Sequence, residues 1–571
     1  MTSLRSTALV ALSYLVVSGF WTWPALDFDP DTLPTRHFDL MPSIWLIYAS
    51  PETFPDLVYP WSLWPDGELL ARLDSYVLLL LGWINHGLLP PEVFARTLLW
   101  TGPAASALAA ELCAHRGFGV PRPWSWLAGL SYGFSGIMAS AALEGQVYST
   151  FNPWLPLLLW AIWRGMNPGG RWYHGLLAGA AWGAAHLTSA YFGAIGIALL
   201  VVFAVRSLLW HQGVLRVARF AAGVAALAVP VGLYQMWLFS WGGLKLEPTM
   251  ADVLRGSMAL SDALIWSDPI DVANHSINAP LHWSLFWMAL LAPVVLGRER
   301  GWRTLLAMTV LAFALALGPV LRLHPDGAMM NNPFRFWQAI PGATFFRFPY
   351  RFMWITSLLG GILAASVTAT LATRVRPRLL WAIFPLAIID AMFIVGLPLR
   401  MRSSVADVPD AYAAAPAGWG VLDLFSSKLS VAIVREAETV GDDFLWARSL
   451  SCYYQTEHHL PTPAQCIGTM RDDPRVLLAD EVFMRLLAYA DRSRPDALEG
   501  LDDWLLEHKL GTVAVHADFL RPNDRDQVLE ALEVALGPPA GDSANGGERV
   551  VVFVVPEART LPPPAVELNP L

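Results

Sequence analysis

Charged side chains are scarce in this chain of 571 residues. Only 38 residues are basic and 47 are acidic, so that 15% are charged, against about 25% in a typical soluble domain. At the same time, 55% of the residues are hydrophobic and the mean hydropathy is +0.43. A chain with so little charge and so many apolar residues is neither disordered nor an ordinary soluble enzyme. The composition predicts a polytopic α-helical membrane protein.

Cysteines and the short motifs of soluble enzymes are also rare or missing. The three cysteines are too few for a disulfide scaffold, and neither they nor the scattered histidines have the spacing of a zinc site. The sequence has no G-x-x-x-x-G-K phosphate loop, no H-E-x-x-H metal motif and no G-x-S-x-G elbow in a strand-turn-helix context. With a net charge of -9 it also has no basic surplus for a nucleic acid partner.

Apolar segments of roughly membrane-spanning length recur from the N-terminus onwards, since a helix needs about 17–25 residues to cross a bilayer. The first segment ends in an aromatic run typical of a membrane interface and lacks the cleavage site of a secretory signal. About eleven spans are predicted, at 4–24, 92–114, 124–142, 151–163, 173–188, 190–206, 217–238, 282–297, 303–321, 350–372 and 379–398.

The distribution of arginines predicts the orientation of these spans. One set of loops, together with the adjoining ends of the spans, carries fourteen arginines and a single loop acid, Glu299, whereas the opposite loops with their adjoining span ends carry nine basic and seventeen acidic residues. By the positive-inside rule the first set is cytoplasmic, which places the N-terminus there and residues 399–571 outside. Two domains follow: a transmembrane domain, 1–398, and an external soluble domain, 399–571. The transmembrane domain has long external loops at 25–91, 239–281 and 322–349.

The tail has the pattern of a soluble α/β domain. Short β-branched runs alternate with amphipathic segments that begin at Asp or Asn. Strands are predicted at 421–425, 512–515 and 550–555, and helices at 476–490, 497–508 and 523–536. Because the tail is predicted to lie on the oxidising side, a disulfide between Cys452 and Cys466 is expected. Cys113, alone in a span, is expected to be a small apolar residue.

Acidic residues of the first external loop are candidates for proton transfer. Asp39 stands among apolar residues next to the membrane, where a carboxylate acquires a perturbed pKa and can act as a general base. Asp74 opens an apolar run and is either a second site residue or a helix cap. Asp27 and Asp29, directly after the first span, are more typical of a solvated acidic loop.

Polar residues at the external ends of later spans are candidates for substrate binding. Glu144 and Gln146 follow the third span, and the alternative for them is ordinary hydrogen bonding at the interface. His186 and Tyr191 flank the turn between two short spans, where polar residues line a cavity or pack between helices.

Arg347 and Arg351 are interleaved with aromatic residues at an external helix start. Guanidinium groups make bidentate phosphate contacts, and the helix N-terminus adds its dipole, so the pair suits a lipid-linked phosphate or pyrophosphate. Membrane anchoring or ion pairing with the acidic loop is the alternative.

Several short motifs together resemble the GT-C superfamily of polytopic glycosyltransferases, and more closely a bacterial YfhO-like group of membrane proteins. The resemblance covers nearly the whole chain. It is carried by Phe38-Asp39-Leu40-Met41-Pro42-Ser43-Ile44-Trp45, by Val58-Tyr59-Pro60 and Leu63-Trp64-Pro65-Asp66-Gly67, by the small residues of 128–136 with Gly145-Gln146, by Trp154-Leu155-Pro156-Leu157, by Phe346-Arg347-Phe348-Pro349-Tyr350-Arg351-Phe352, and by Tyr454-Gln455-Thr456-Glu457-His458.

The resemblance implies an enzyme of the bacterial inner membrane that takes a sugar from a polyprenyl-phosphate donor on the external face. The acceptor would be a glycolipid, polysaccharide or protein of the envelope. Asp39 would be the catalytic base, with Asp27 or Asp29 as alternatives because many members pair two acids. Asp74, Glu144, Gln146, His186 and Tyr191 would bind substrate, and Arg347 and Arg351 the lipid phosphate. The use of a divalent metal stays open. The alternative function is an inactive GT-C-like protein that binds or moves lipid-linked glycans or scaffolds envelope assembly.

Overall fold

The structure of the protein is a computed structural model. It describes residues 2–26, 32–33, 40–53, 58–59, 68–69, 75–167, 169–209, 214–241, 257–264, 279–297, 300–323, 329–332, 348–375, 377–394, 404–405, 408–425, 452–456, 458–462, 478–520, 522–544 and 548–564. The chain folds into two compact units. The first contains Met1–Phe28, Asp74–Val77 and Ala95–Arg402, and the second contains Asp29–Leu73, Leu78–Phe94 and Ser403–Leu571.

Helices occupy every segment that the sequence predicts to span the membrane. They are Thr2–Trp21, Pro91–Leu112, Trp126–Gly133 with Gly136–Leu143, Trp154–Met166, Tyr173–Thr188, Ala190–Leu209, Val214–Trp241, Trp283–Leu290 with Ala292–Val295, Arg300–Ala316, Met353–Ala372 and Ile383–Ile389. Shorter helical elements are Trp23–Leu26, Cys113–Gly117, Val147–Thr150, Leu260–Leu264, Pro349–Phe352, Pro377–Leu380 and Asp390–Ile394. The predicted mainly helical fold is confirmed.

Four helical segments among the described residues are long and apolar enough to cross a membrane, judged by length and composition alone. They are Trp126–Leu143, Ala190–Leu209, Val214–Met236 and Pro349–Ala372. The count of about eleven spans therefore stays a prediction.

Aromatic stacking and hydrogen bonds to backbone carbonyls hold the helices of the first unit together. Tyr14 stacks on Trp126 with ring centroids 5.4 Å apart, and its hydroxyl donates to the Trp126 carbonyl at 2.9 Å. Ser131 donates in the same way to the carbonyl of Ser357 at 2.9 Å, and the ring of Tyr132 meets that of Trp354 edge-on. Small and aromatic residues that bond to backbone oxygens are typical of helix interfaces in an apolar medium.

The second unit contains a four-stranded sheet and the helices of the tail. The strand order is Gly420–Leu424, Leu510–His516, Val550–Val554 and Gly541–Ser543, with the first pair parallel and the others antiparallel. A parallel pair requires a crossover connection, and the helices Leu478–Ala490 and Leu501–Glu507 lie between these two strands in sequence. The helix Pro522–Leu536 follows the second strand.

The strands Gly420–Leu424, Leu510–His516 and Val550–Val554 are buried on both faces, and the two faces carry different kinds of residue. Because successive side chains of a strand point to opposite faces, Leu422, Val513 and Val551 share the face that packs against the tail helices. Asp423 and His516 lie on the opposite face, with exposed fractions of 8% and 0%. One face of the sheet therefore carries the apolar core, and the other carries buried polar groups.

Most of the segment 25–91, which the sequence predicts to be an external loop, belongs to the second unit. The strand Thr32–Leu33 pairs antiparallel with Ser404–Val405, and the helix Leu40–Thr53 is buried on nearly all sides. The remaining elements are the strand pairs Val58–Tyr59 with Glu68–Leu69 and Val320–Arg322 with Met329–Asn331, the helix Tyr76–Asn85, and the short helices Asp410–Ala414, Ala517–Phe519 and Pro556–Arg559. The predicted domain boundary after residue 398 stays a prediction, since the second unit is not a single stretch of the tail.

Candidate functional site

Half of the predicted site residues fall in the described part of the chain. Asp27, Asp29, Asp39, Asp74, Arg347 and Cys466 lie outside the described residues, and their predicted roles stay predictions. Cys452 is disulfide-bonded and Cys113 is free and buried. The described candidates, all in the first unit, are Glu144, Gln146, His186, Tyr191 and Arg351.

Glu144 and Gln146 form a small hydrogen-bonded group where the helix Gly136–Leu143 ends. The chain turns there through Gly145, whose φ of +69° is a left-handed conformation that favours glycine. The turn lets the Gln146 amide donate to one carboxylate oxygen of Glu144 at 2.7 Å, while the Ser140 hydroxyl donates to the other at 2.9 Å. The two side chains are thus bonded to each other, and their predicted role in substrate binding stays a prediction.

Arg351 is buried in a cage of aromatic rings. Its guanidinium carbon lies 4.1 Å from the ring centroid of Tyr191, 5.1 Å from that of Phe348 and 5.9 Å from that of Tyr350. Only 6% of the residue is exposed. One guanidinium nitrogen donates to the hydroxyl of Ser189 at 3.4 Å, in the one-residue break between two helices.

Local structure explains why this arginine is held so closely. Pro349 starts a 3-10 turn, Pro349–Phe352, that continues into the helix Met353–Ala372. Proline at the first helical position fixes the backbone angle with which the helix starts. Arg351 therefore lies at a helix N-terminus, where the helix dipole adds to its positive charge.

The phenol of Tyr350 joins the carboxylate of Glu144 to the guanidinium of Arg351. It donates to Glu144 at 3.4 Å and is also hydrogen-bonded to Arg351. Among the described residues no carboxylate forms an ion pair with Arg351, whose charge is met by hydroxyl groups and ring faces. We call Glu144, Gln146, Ser189, Tyr191, Tyr350 and Arg351 the arginine cluster.

His186 lies outside the arginine cluster. Its ring stacks on Trp182 with centroids 4.8 Å apart and presses on Gly193, where an added Cβ would lie 2.1 Å from the imidazole Nδ1. The same nitrogen is buried and makes no hydrogen bond in the described structure. No contact joins His186 to Arg351 within the described residues, so its predicted role in substrate binding stays a prediction.

A cavity of about 450 Å³ in the first unit contains none of the predicted site residues. Its walls include Trp126, Trp381 and Phe384, together with the ion pair that Arg122 makes with Glu111 at 2.8 Å. The guanidinium of Arg122 also donates to the hydroxyls of Ser6 and Thr7, so most of its N–H groups are already bonded within the first unit. In the part of the chain that the structure describes, no three His, Cys, Asp or Glu side chains are grouped to hold a metal ion.

A second polar cluster lies in the second unit, on the face of the sheet opposite the tail helices. The imidazole of His516 is bonded on one side to Glu548 and on the other to Asp423, at 3.2 Å. Tyr412 donates to Asp423 and Tyr454 donates to Glu548, both at 2.6 Å. We call these five residues the histidine cluster.

Charge controls proton binding in the histidine cluster. Burial by itself would lower the pKa of His516, but the two carboxylates raise it to about 9. Burial and the same carboxylates raise the pKa of Tyr412 and of Tyr454 well above the usual range. The neighbouring His458 stacks on Tyr412 at 4.6 Å, and burial lowers its pKa to about 4. At neutral pH the cluster therefore contains a protonated His516 and neutral tyrosines.

Sequence reasoning missed part of each cluster. Tyr350 directly precedes Arg351 in the quoted motif, and Ser140 is one helical turn before Glu144, so both had a local signal. Asp423, His516 and Glu548 had none, because 93 and 32 residues separate the members that bond to each other.

Comparison with known proteins identifies solved structures with a similar fold. No family model matches the chain, and no curated protein matches it. The arabinofuranosyltransferase AftD from Mycobacteria superposes on 96% of this chain with a TM-score of 0.59 at 15% identity. The chain spans 41% of the AftD chain.

Two further solved structures match less well. The oligosaccharyltransferase AglB from Archaeoglobus fulgidus, in complex with an inhibitory peptide and a dolichol-phosphate, gives a TM-score of 0.48 at 11% identity, covering 94% of this chain and 72% of AglB. ArnT from Cupriavidus metallidurans, bound to undecaprenyl phosphate, gives 0.44 at 14% identity, covering 96% and 98%. Both TM-scores lie below 0.5, so only the match to AftD is used to assign the fold. The resemblance that the motifs predict is confirmed at the level of the fold: the chain has the fold of AftD over nearly its whole length. Its composition and its four long apolar helices agree with the predicted membrane protein.

Proposed function

We propose that this protein is a membrane glycosyltransferase that transfers a sugar from a polyprenyl-phosphate donor to an acceptor hydroxyl or amide of the cell envelope. The GT-C fold and the name of its match, an arabinofuranosyltransferase, support the reaction class. The positive-inside pattern supports a cytoplasmic N-terminus, about eleven spans, and an external α/β tail in a bacterial inner membrane.

The observation that carries the proposal is the environment of Arg351. Removing a cation from water costs several kcal/mol unless an anion or good hydrogen bonds replace the solvent. Among the described residues, aromatic faces and two hydroxyl groups take the place of the solvent, and no carboxylate does. A phosphate monoester or diester would complete the environment, because it offers charged oxygens to the guanidinium and to the helix N-terminus.

In the reaction the acceptor oxygen or nitrogen forms a bond to the anomeric carbon of the donor sugar. The bond from that carbon to the phosphate oxygen breaks, and polyprenyl phosphate leaves with the electron pair. We assign Asp39 to take the acceptor proton, with Asp27 or Asp29 as alternatives. Arg347 and Arg351 would stabilise the charge of the departing phosphate.

The remaining predicted residues would bind the sugar and the acceptor. Gln146 offers an amide and Glu144 a carboxylate, and both groups are suited to sugar hydroxyls. Asp74, His186 and Tyr191 complete the proposed set. Tyr191 differs from the others because its ring already contacts Arg351.

The experiment is a comparison of transfer and lipid binding in detergent or nanodiscs. Polyprenyl phosphates carrying arabinofuranose, glucose or mannose serve as donors, with an envelope lipid extract as acceptor. Undecaprenyl phosphate without sugar serves as the binding probe. We expect Arg351→Gln to lose both transfer and binding of the probe, and Asp39→Asn to lose transfer while it still binds the probe.

Arg206→Gln is the matched control, since Arg206 is also a buried arginine over an aromatic ring, 4.8 Å from the centroid of Trp163. It should keep both properties. If the wild-type protein binds the probe but transfers none of the three sugars, the inactive lipid-glycan-binding alternative is supported. If Arg351→Gln binds the probe as well as wild type, the phosphate role of Arg351 is refuted.

A further inference from the structure

Two motifs that resemble the GT-C group lie far apart in the sequence but touch in the structure. Trp45 ends the motif that contains Asp39, and Gln455 belongs to the Tyr-Gln-Thr-x-His motif of the tail. The indole nitrogen of Trp45 donates to the amide oxygen of Gln455 at 2.8 Å, and neither residue is exposed. Both residues belong to the second unit.

The amide of Gln455 is fixed in the orientation that this bond needs. Its nitrogen donates to the carbonyl of Leu460 at 3.0 Å, so its oxygen faces Trp45. One turn along the helix Leu40–Thr53, the hydroxyl of Tyr48 lies 2.5 Å from Nδ1 of His459, and the two rings stack. Residues three apart lie on one face of a helix, so the two bonds join one face of the helix to one short segment.

Directional bonds are important here because the helix is buried on nearly all sides. Leu40, Met41, Ile44, Leu46 and Ile47 are all 3% exposed or less. A helix with apolar residues all around gains about the same from burial whichever way it is rotated about its axis. The hydrogen bonds of Trp45 and Tyr48 select one rotation.

The chain before Asp39 is also joined to the C-terminal part of the sequence. The strand Thr32–Leu33 pairs with Ser404–Val405. Residues 34–39 therefore connect two elements that both contact residues beyond 402.

The segment that holds the helix is itself held by the histidine cluster. Tyr454 donates to Glu548, and His458 stacks on Tyr412, which donates to Asp423. Val421 belongs to the same strand as Asp423, and its backbone amide donates to the carbonyl of Pro461 at 2.7 Å. Contacts thus run from the sheet through residues 452–461 to the helix that follows Asp39.

We propose that Gln455 is a positioning residue that, through Trp45, fixes the helix Leu40–Thr53, whose first residue directly follows Asp39 in the sequence. The inference rests on the proposed function for the role of Asp39. It assigns to the tail the task of anchoring the helix next to the proposed base in sequence, and it gives the Tyr-Gln-Thr-x-His motif a purpose.

The test uses the full-length protein in nanodiscs and two readouts. Trp45→Phe removes the indole donor and keeps an aromatic ring, and Gln455→Met removes both amide groups at similar length. We expect each variant to lower kcat at least tenfold with the KM for the donor within about twofold of wild type, because binding groups are untouched while the base is misplaced. The double variant should be no worse than either single one, since the two residues act as one pair.

Hydrogen exchange is the second readout and does not depend on transfer activity. In both single variants, amides of residues 40–53 should exchange at least tenfold faster, while those of the strand Leu510–His516 stay at the wild-type rate. Trp504→Phe, at a half-buried tryptophan on a tail helix, is the matched control and should change neither readout.

Unchanged exchange in residues 40–53, or faster exchange there with wild-type kcat, would overturn the inference. If the variants exchange uniformly faster in all strands of the tail, Gln455 has a merely structural role and the inference also fails. Asp39→Asn separates this outcome from failure of the proposed function. Wild-type turnover in that variant would show that Asp39 is not the base, whatever the exchange data show for Gln455.

Discussion

The arginine cluster and the histidine cluster are both buried, and both surround a cationic group with tyrosines, yet they differ in how completely the cation is satisfied. His516 has a carboxylate on each side of its ring, and each carboxylate accepts a further bond from a tyrosine. Among the described residues, Arg351 is surrounded by rings and hydroxyl groups, and Glu144 is joined to it through Tyr350. A buried cation between two carboxylates indicates a structural role, whereas a buried guanidinium with no carboxylate beside it in the described structure is a suitable place for an anionic ligand.

The largest expected effect is on stability, in the histidine cluster. His516→Leu leaves Asp423 and Glu548 buried without their cation, and breaking a buried pair in this way costs about 3–5 kcal/mol. We expect the unfolding transition of the second unit to move to markedly lower temperature, as measured by scanning fluorimetry of the purified protein. An unchanged transition would show that the two clusters do not differ in the way described.

The next effect is on activity, in the arginine cluster. Arg351→Met removes a cation that has no ion-pair partner among the described residues, so its effect on the melting temperature should be small. Turnover should fall by about 100-fold or more, the usual consequence of removing a group that stabilises developing charge. Steady-state kinetics and the melting temperature of the same preparation test both parts. A large loss of stability with normal specific activity would reverse the comparison.

The pH dependence of stability is the third way to sharpen the contrast. Burial lowers the pKa of His516, but Glu548 and Asp423 more than offset this effect. The pKa is therefore raised to about 9, above its ordinary value of about 6.5. A raised pKa means that the folded state binds the proton more tightly, so the stabilisation is complete below about pH 6.5 and is lost as pH rises through about 9. Burial lowers the pKa of His458 to about 4. As pH falls from about 6.5 to 4, the unfolded chain binds this proton before the folded chain does, so the folded state loses stability.

Stability is thus lost on the alkaline side through His516 and on the acid side through His458. We therefore expect the second unit to be most stable near pH 6.5. Melting temperatures from pH 4 to 10 would reveal the maximum. In Glu548→Gln the alkaline decline should shift to lower pH, because one of the carboxylates that raise the pKa of His516 is gone. A wild-type profile that is flat between pH 6.5 and 10 would contradict the protonated state of His516.

The smallest effect is expected for the phenol that joins Glu144 to Arg351. Tyr350→Phe keeps the ring beside Arg351 and removes the hydrogen bonds that the phenol makes with Glu144 and Arg351. We expect turnover to depend on the bond to Arg351, and losing about 0.5–1.5 kcal/mol there corresponds to a fall of about threefold to tenfold. The equivalent change in the other cluster, Tyr412→Phe, should instead lower the melting temperature, because the Asp423 carboxylate loses a donor while buried. Equal effects of the two changes on melting temperature would remove the distinction.

Sequence and structure agree best where the signal is local. The helices coincide with the predicted apolar segments, and the strands Gly420–Leu424, Leu510–His516 and Val550–Val554 coincide with the predicted β-branched runs. Arg351 and its aromatic neighbours were found from seven consecutive residues, since a helix start with interleaved rings is encoded there. The separate placement of His186 was not foreseen, because sequence proximity to Tyr191 does not fix which way a ring turns at a helix break.

Composition, apolar periodicity and short motifs were sufficient to predict a helical membrane protein and its GT-C resemblance, because hydrophobic burial and helix formation depend on residues near one another in the chain. Only the tertiary structure decided which polar groups meet: Trp45 with Gln455, and His516 with Asp423 and Glu548. The strands that carry Asp423 and His516 are buried on both faces, so alternation does not reveal which side holds a partner. Which residues bond across 410 positions depends on how the elements pack, and no local pattern records it.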